Sequence, residues 1–285
     1  MTADFKIPTP EEVGDFYDRT NRLITEYQGG SMHYGYWLGP GDDSDFERAS
    51  DRFTDIMIDK LRVRPGQRVL DCGCGPGKPG VRLARVTGAE VIGISISAQD
   101  VVLANERAER EGMAAQARFQ RANMLELPFP DNHFDHVLAF ESIVHVPDRA
   151  AVLTEIARVL RPGGRVALTD FINKGTPSQD EEDRRALADA LASWCSAPLV
   201  ELDDYPGFAE AAGLVIDEIT DVTENTKYTY PKTYGPMYEY ARTHGEVPPE
   251  MARLLDAAPG EEAMKWVLRE EPTEGVIIAV LHLPA

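Results

Sequence analysis

Residues 68–80, Arg-Val-Leu-Asp-Cys-Gly-Cys-Gly-Pro-Gly-Lys-Pro-Gly, constrain this chain more than any other stretch. Val69 and Leu70 end a short apolar run, Asp71 closes it, glycines follow at 73, 75 and 77, and Val81–Val86 then reads as helix. A strand that turns this sharply into a helix needs glycine, which alone takes positive φ cheaply and lets a ligand approach bare backbone. The Gly-x-Gly spacing also occurs in dinucleotide sites and is a weak signal by itself. Two details point away from a dinucleotide. Asp71 sits where it can accept hydrogen bonds from a cationic amine, and Pro76, Lys78 and Pro79 crowd the place of a pyrophosphate. A glycine turn with no ligand is the plain alternative.

The remaining pattern alternates strands and helices. Phe53, Ile56, Met57 and Leu61 share one face of a helix over 46–61. Strands are expected at Glu90–Ser95, Ala117–Ala122, Phe134–Glu141, Arg165–Phe171, Leu214–Val222 and Gly275–Leu283, with helices over 98–111 and from Pro147 to Leu160. Short βα connections imply a doubly wound, mostly parallel seven-stranded α/β sheet, with ligands at the carboxyl ends of its strands. Thr9-Pro10-Glu11-Glu12 starts an N-terminal helix. An aromatic loop, Ser31–Trp37, follows it, and either caps the core edge or covers a ligand. The 285 residues read as one domain: N-terminal helices and aromatic lid over 1–62, a core over 63–175, and sheet completion over 176–285. A charged helix is expected from Thr176 to Ala197. A Tyr- and Pro-rich insertion around 223–272 is expected to form two short helices as a small cap, building either an acceptor pocket or an oligomer contact.

Composition narrows the function. A net charge of −19 with no long Lys/Arg run argues against nucleic acid as partner. No stretch approaches the ~18 apolar residues of a membrane span. The start of the chain does not read as a signal peptide, and three cysteines give no disulfide framework, so a cytoplasmic setting is expected. Cys72 and Cys74 have no His or Cys partner at ligand spacing, so no metal site is expected.

Residues 68–80 resemble motif I of the class I S-adenosylmethionine (SAM) methyltransferases. The run His145-Val-Pro-Asp148 through Leu160-Arg-Pro-Gly-Gly164 resembles the same fold, and His33-Tyr-Gly-Tyr-Trp37 resembles the lid of the sterol- and cyclopropane-fatty-acid-related subgroup. Most of residues 8–172 is similar to antibiotic-tailoring sugar O-methyltransferases. The resemblance implies SAM as cofactor, S-adenosylhomocysteine as product and a small-molecule acceptor. It implies donor contacts from Asp71, Gly73, Cys74 and Gly75, from Ser95 and Gln99 on the ribose side with Asp100 as the near alternative, and from Asn123, Met124 and Leu125 around adenine. Tyr17, Tyr34 and Phe140 would close over the donor. An Asp or Glu is usual where Ser95 stands, and Asn123 replaces the usual Asp. For the acceptor, His145 is the expected base, Asp170 its orienting partner or a direct hydroxyl ligand, and Glu141 a second base. The sugar enzymes carry two consecutive histidines, the first at the position of Val144. Its loss here keeps open C-methylation of an alkene, or a SAM-binding scaffold that transfers nothing. A homo-oligomer through the N-terminal helix or the cap is a further reading of those segments.

Overall fold

The computed structural model describes residues 7–27, 30–175, 187–189, 191–192, 194–245, 247, 249, 251–252, 255 and 274–285. The charged stretch 176–186 and most of 246–273 lie outside the described residues, and with them much of the expected charged helix and the second half of the expected cap.

Seven strands form one sheet in the order β3-β2-β1-β4-β5-β8-β7, and a two-residue strand, β6, pairs β5 at its end. In chain order they are β1 (Arg68–Cys72), β2 (Glu90–Ser95), β3 (Ala117–Arg121), β4 (Phe134–Ala139), β5 (Leu160–Asn173), β6 (Val200–Glu201), β7 (Val215–Asp221) and β8 (Glu274–His282). All pairings are parallel except those of β8, which runs antiparallel to both β5 and β7. The helices are α1 (Pro10–Tyr27), α2 (Phe46–Leu61), α3 (Lys78–Thr87), α4 (Ala98–Arg110), α5 (Arg149–Val159), α6 (Tyr205–Ala211), α7 (Thr223–Thr226) and α8 (Thr229–His244).

Side chains alternate across the sheet, and both faces are covered. Val69, Leu138, Ala167, Ile278 and Val280 pack on one face with Phe53, Met57 and Leu61 of α2, Val81 and Leu83 of α3, and Ala104 and Ala108 of α4. Leu70, Val137, Val166, Leu168, Ile277 and Ala279 pack on the other face with Val152, Leu153 and Ile156 of α5 and Tyr205 and Ala209 of α6. Two apolar faces per strand explain why the strands read as continuous apolar runs.

Local chemistry sets the helix starts. Thr9 Oγ1 accepts the Glu12 N–H at 3.2 Å while Glu12 Oε2 accepts the Thr9 N–H at 3.0 Å, a reciprocal cap for α1. Asp45 caps α2, Ser97 caps α4 and Asp148 caps α5, each through its own side chain. α5 therefore starts at Arg149, two residues after the expected Pro147. β5 is longer than expected: it begins at Leu160, and the register slips between the Phe134 and His136 pairings so that Arg161–Gly164 bulges within it. In the cap, one turn at α7 and the 16-residue α8 stand where two short helices were expected.

The strand order reverses between β1 and β4, and in open parallel sheets that reversal opens a crevice at the carboxyl ends. A cavity of about 720 Å³ lies there, roofed by α1, the aromatic loop and α8.

Candidate active site

The turn after β1 forms the cavity floor. Gly73 has φ +86°, and its N–H and that of Cys74 both donate to the Ile94 carbonyl, at 2.9 and 2.8 Å. A Cβ on Gly73 would lie 2.1 Å from Ser142 Cβ, whereas one on Gly75, φ +48°, would meet no atom within 4 Å. Gly73 is thus required by packing, whereas at Gly75 only the left-handed backbone favours glycine and the space beside it is open. Asp71 is 1% exposed, and its Oδ2 is buried with no hydrogen-bond partner among the described residues. Burial pushes its carboxyl up to about 7. A buried acceptor left unpaired is costly unless a ligand donor meets it, and a cationic amine is the donor that meets it best.

Ser95 closes β2, and its Oγ donates to Asp100 Oδ2 at 3.0 Å. Asn21 of α1 donates to the other Asp100 oxygen. Burial pushes the Asp100 carboxyl up to about 6, and it lines the cavity. Gln99 does not line it: the Gln99 backbone N–H donates to Asp18 of α1 at 2.9 Å. Ser97 caps α4, so the helical turn carries Asp100 inward and Gln99 outward. The acid missing from the end of β2 is thus present one helical turn later. Asn123, Met124 and Leu125 line the neighbouring wall, and Asn123 Oδ1 accepts the Leu125 N–H at 3.0 Å in a turn. An orphaned carboxylate, a second buried acid and a bare glycine wall fit a ligand with an amine at one end and hydroxyls further along.

Glu141 follows β4 with φ +48°, an uncommon conformation for a residue with a side chain. Its N–H donates to Thr169 Oγ1 at 2.8 Å, and its carboxylate accepts the Tyr34 N–H at 2.9 and 3.1 Å. Glu141 therefore ties the aromatic loop to the sheet. Burial pushes its carboxyl up to about 8. The His33 ring stacks on Phe140 with centroids 3.9 Å apart, which brings Phe140 and Tyr34 into the cavity wall. The far side of the loop is stitched to α7: Trp37 N–H donates to the Asn225 carbonyl at 2.9 Å, and Asn225 Nδ2 returns a bond to the Trp37 carbonyl at 2.7 Å.

His145 ends a single 3₁₀ turn, Ile143–His145, that sequence periodicity did not signal. Its Nδ1 is 3.0 Å from the Cys195 carbonyl and its Nε2 is 2.7 Å from the Tyr17 hydroxyl. A carbonyl only accepts, so Nδ1 carries the proton and Nε2 accepts from Tyr17. Burial holds the imidazole down at about 4, which keeps it neutral, and the same burial raises the Tyr17 phenol above its ordinary value.

Asp170 is elsewhere. It is fully buried, takes Arg149 Nε and Nη2 at 3.0 and 2.9 Å and the Tyr205 hydroxyl at 2.7 Å, and does not line the cavity. It neither orients His145 nor reaches a substrate, because its oxygens are consumed by α5 and α6. Of the expected site residues, Gln99 and Asp170 fall outside the cavity lining and the others border it.

Two contributors, Glu274 and Asn21, were missed from the sequence. Glu274, at the start of β8, lines the cavity together with Tyr230 and Tyr234 of α8; Tyr34 donates its hydroxyl to that of Tyr230 at 2.8 Å. Asn21, on the α1 face shared with Tyr17, was marked only by its i, i+4 spacing from that residue. Among the described residues no group of three His, Cys, Asp or Glu side chains could hold a metal ion, and no helix is long and apolar enough to cross a membrane.

Comparison with known proteins supplies the family. Residues 70–168 match a family model described as a methyltransferase domain. A 27-O-demethylrifamycin SV methyltransferase from Amycolatopsis mediterranei is 39% identical over 282 residues, covering 97% of this chain and 98% of its own length. Methyltransferase GfsG of Streptomyces halstedii is 40% identical over 221 residues, 77% of this chain and 78% of its own. Among solved structures, the [4+2]-cyclase SpnF superposes with a TM-score of 0.80 at 26% identity, covering 99% of this chain and all of SpnF. On this evidence the chain belongs to the class I SAM-dependent methyltransferases, and SAM is its cofactor.

Proposed function

We propose that this enzyme methylates a hydroxyl of a small secondary metabolite, with Asp71 and Asp100 holding the donor and the His145–Tyr17 pair taking the acceptor's proton. SAM supplies an activated methyl group on a sulfonium, so the residues of this chain have to align the acceptor, exclude water and accept one proton. Asp71, which lines the cavity, offers its carboxylate to the donor's ammonium, and Asp100 its oxygens to the ribose hydroxyls.

The observation that carries the reading is the fixed tautomer of His145: with Nδ1–H held by the Cys195 carbonyl, Nε2 is the ring's one basic atom, and it faces Tyr17 in the cavity wall. An acceptor hydroxyl bonded to Tyr17 Oη gives its proton to that oxygen as the Tyr17 proton passes to Nε2. Tyr17 ends neutral and His145 protonated. An acceptor that displaces Tyr17 gives its proton to Nε2 directly. Glu141 serves this reading as the clamp on the aromatic loop. The 176–285 segment, within a single-domain chain, supplies the acceptor's aromatic surroundings through α8.

The O-methylating relative, similar over 97% of this chain, supports transfer to oxygen. The likeness to SpnF, titled a [4+2]-cyclase, favours one second reading, a SAM-binding scaffold that transfers nothing. Incubation with methyl-deuterated SAM and 27-O-demethylrifamycin SV, followed by mass spectrometry and NMR of the products, separates them. A labelled methyl on oxygen is expected. A labelled methyl on carbon, or tight SAM binding with no labelled product from this compound or a panel of hydroxylated polyketides, would contradict the proposal.

A further inference from the structure

The polar equipment of the cavity is one-sided. Among the described lining residues there is no lysine and no arginine, while Asp71, Asp100, Glu141, Asp189 and Glu274 bring carboxyl groups. Asp71 and Asp100 belong to the donor end, and Glu141 is engaged by the Tyr34 N–H. Glu274 is different. It pairs through its backbone with Asn173, at the carboxyl end of β5, on the same sheet edge as Glu141. Its carboxyl faces the cavity beside Tyr34 and Tyr230 and has neither a cation nor a hydrogen-bond donor among the described residues. Burial pushes that carboxyl up to about 7. The walls around it are aromatic: Phe171, Trp194, Tyr230 and Tyr234. The Tyr34 hydroxyl donates to that of Tyr230, and both phenols lie beside this carboxyl.

A carboxyl among aromatic walls with no protein donor is destabilised, and a ligand that donates to it relieves the cost. A phosphate or carboxylate in the same space meets like charge in a weakly screened setting, with no cation among the described lining residues to offset it. We propose that Glu274 is the acceptor-specificity residue: its carboxyl takes a hydroxyl or protonated amine of an uncharged or cationic acceptor at the aromatic end of the cavity, and phosphate- or carboxylate-bearing acceptors are rejected. This rests on the reading of the α8 side of the cavity as the acceptor site, and it adds the chemical class that site selects.

Three ligands sharing one apolar body test it: geraniol, geranylamine and geranyl diphosphate, titrated by calorimetry into protein loaded with S-adenosylhomocysteine. Geranylamine should bind more tightly than geraniol, and geranyl diphosphate more weakly than both by about a hundredfold. Glu274→Gln should cut the amine-over-alcohol preference by about tenfold or more, as expected for loss of a charge-assisted bond, with S-adenosylhomocysteine affinity unchanged. Diphosphate binding equal to that of the alcohol, an unaltered preference in Glu274→Gln, or no binding of any of the three would overturn the proposal. The ranking in the unaltered protein needs no variant to fold. S-adenosylhomocysteine heat retained alongside a wrong ranking breaks the Glu274 assignment alone. O-methylation lost with the ranking intact breaks the proposed reaction instead.

Discussion

At Gly73 and Gly75 the same substitution should do two different things. Alanine at 73 drives its methyl into Ser142 and holds a positive φ, so Gly73→Ala should cost about 3 kcal/mol of stability. Alanine at 75 carries only the left-handed penalty, about 1 kcal/mol, and its methyl enters the cavity. Gly75→Ala should therefore fold yet lose S-adenosylhomocysteine affinity by about tenfold or more, a contrast that paired denaturation and calorimetry would expose. His145 makes a second prediction. Its active form is the neutral ring, and burial holds its titration at about 4. Turnover should stay level as pH falls through 6.5, where a free histidine would lose it, and drop only as pH approaches 4. His145→Ala should lower turnover by about 10²–10⁴-fold and leave donor affinity within a few-fold. An acid limb near 6.5 in the pH–rate profile would show that the imidazole is not held as described. Asp71, Ser95 and Asn123 could be placed on the cavity wall from the sequence because each lies at or just after a strand end. Gln99 was not: a one-residue difference in helix start, decided by the Ser97 cap, exchanges which of two neighbours faces inward.

At the scale of elements, Arg149, Asp170 and Tyr205 join α5, β5 and α6 by fully buried bonds. Arg149 also donates to the Val146 carbonyl, directly after His145. Removing one partner strands a charge in the core, so Asp170→Asn should cost about 3–5 kcal/mol and Tyr205→Phe about 1–2 kcal/mol. Urea midpoints would rank them; equal losses would argue against a buried pair at the centre of the cluster. The sequence marks the strands well because double-faced burial leaves long apolar runs, and the helix starts because caps are local. Two things resist sequence reading. Whether Asp170 faces a pocket or a helix depends on Arg149, 21 residues away, finding it across a strand–helix packing. The bulge that lets β5 begin at Leu160 depends on the β4 register, which no local window contains.

Across the whole molecule, four cavity carboxyls are pushed up by burial: Asp100 to about 6, Asp71 and Glu274 to about 7 and Glu141 to about 8. Their folded-state values exceed the unfolded ones, so between about pH 4 and 8 these four groups hold more protons in the native state than in the unfolded chain. They outweigh His33 and His145, which burial holds down at about 4 and which oppose them only below about pH 6.5. The cost is absent below the unfolded values, and stability falls as pH rises through the window. The ligand-free protein should therefore melt higher at pH 5.5 than at pH 8, and saturating S-adenosylhomocysteine, whose ammonium favours ionised Asp71, should flatten the slope. Melting temperature against pH, with and without ligand, checks the sign; a rise in stability from pH 5.5 to 8 without ligand would contradict it. The net charge of −19 suits solubility, yet inside the cavity the same preference for acids favours donors that carry positive charge.

The most direct test is calorimetric titration of S-adenosylhomocysteine into the unaltered protein and into Asp71→Asn. Clear binding to the first is expected, an affinity about 10–100-fold lower in the second, and no heat for NAD in either. Equal affinity in the two proteins, or a nicotinamide dinucleotide binding where S-adenosylhomocysteine does not, would contradict this expectation.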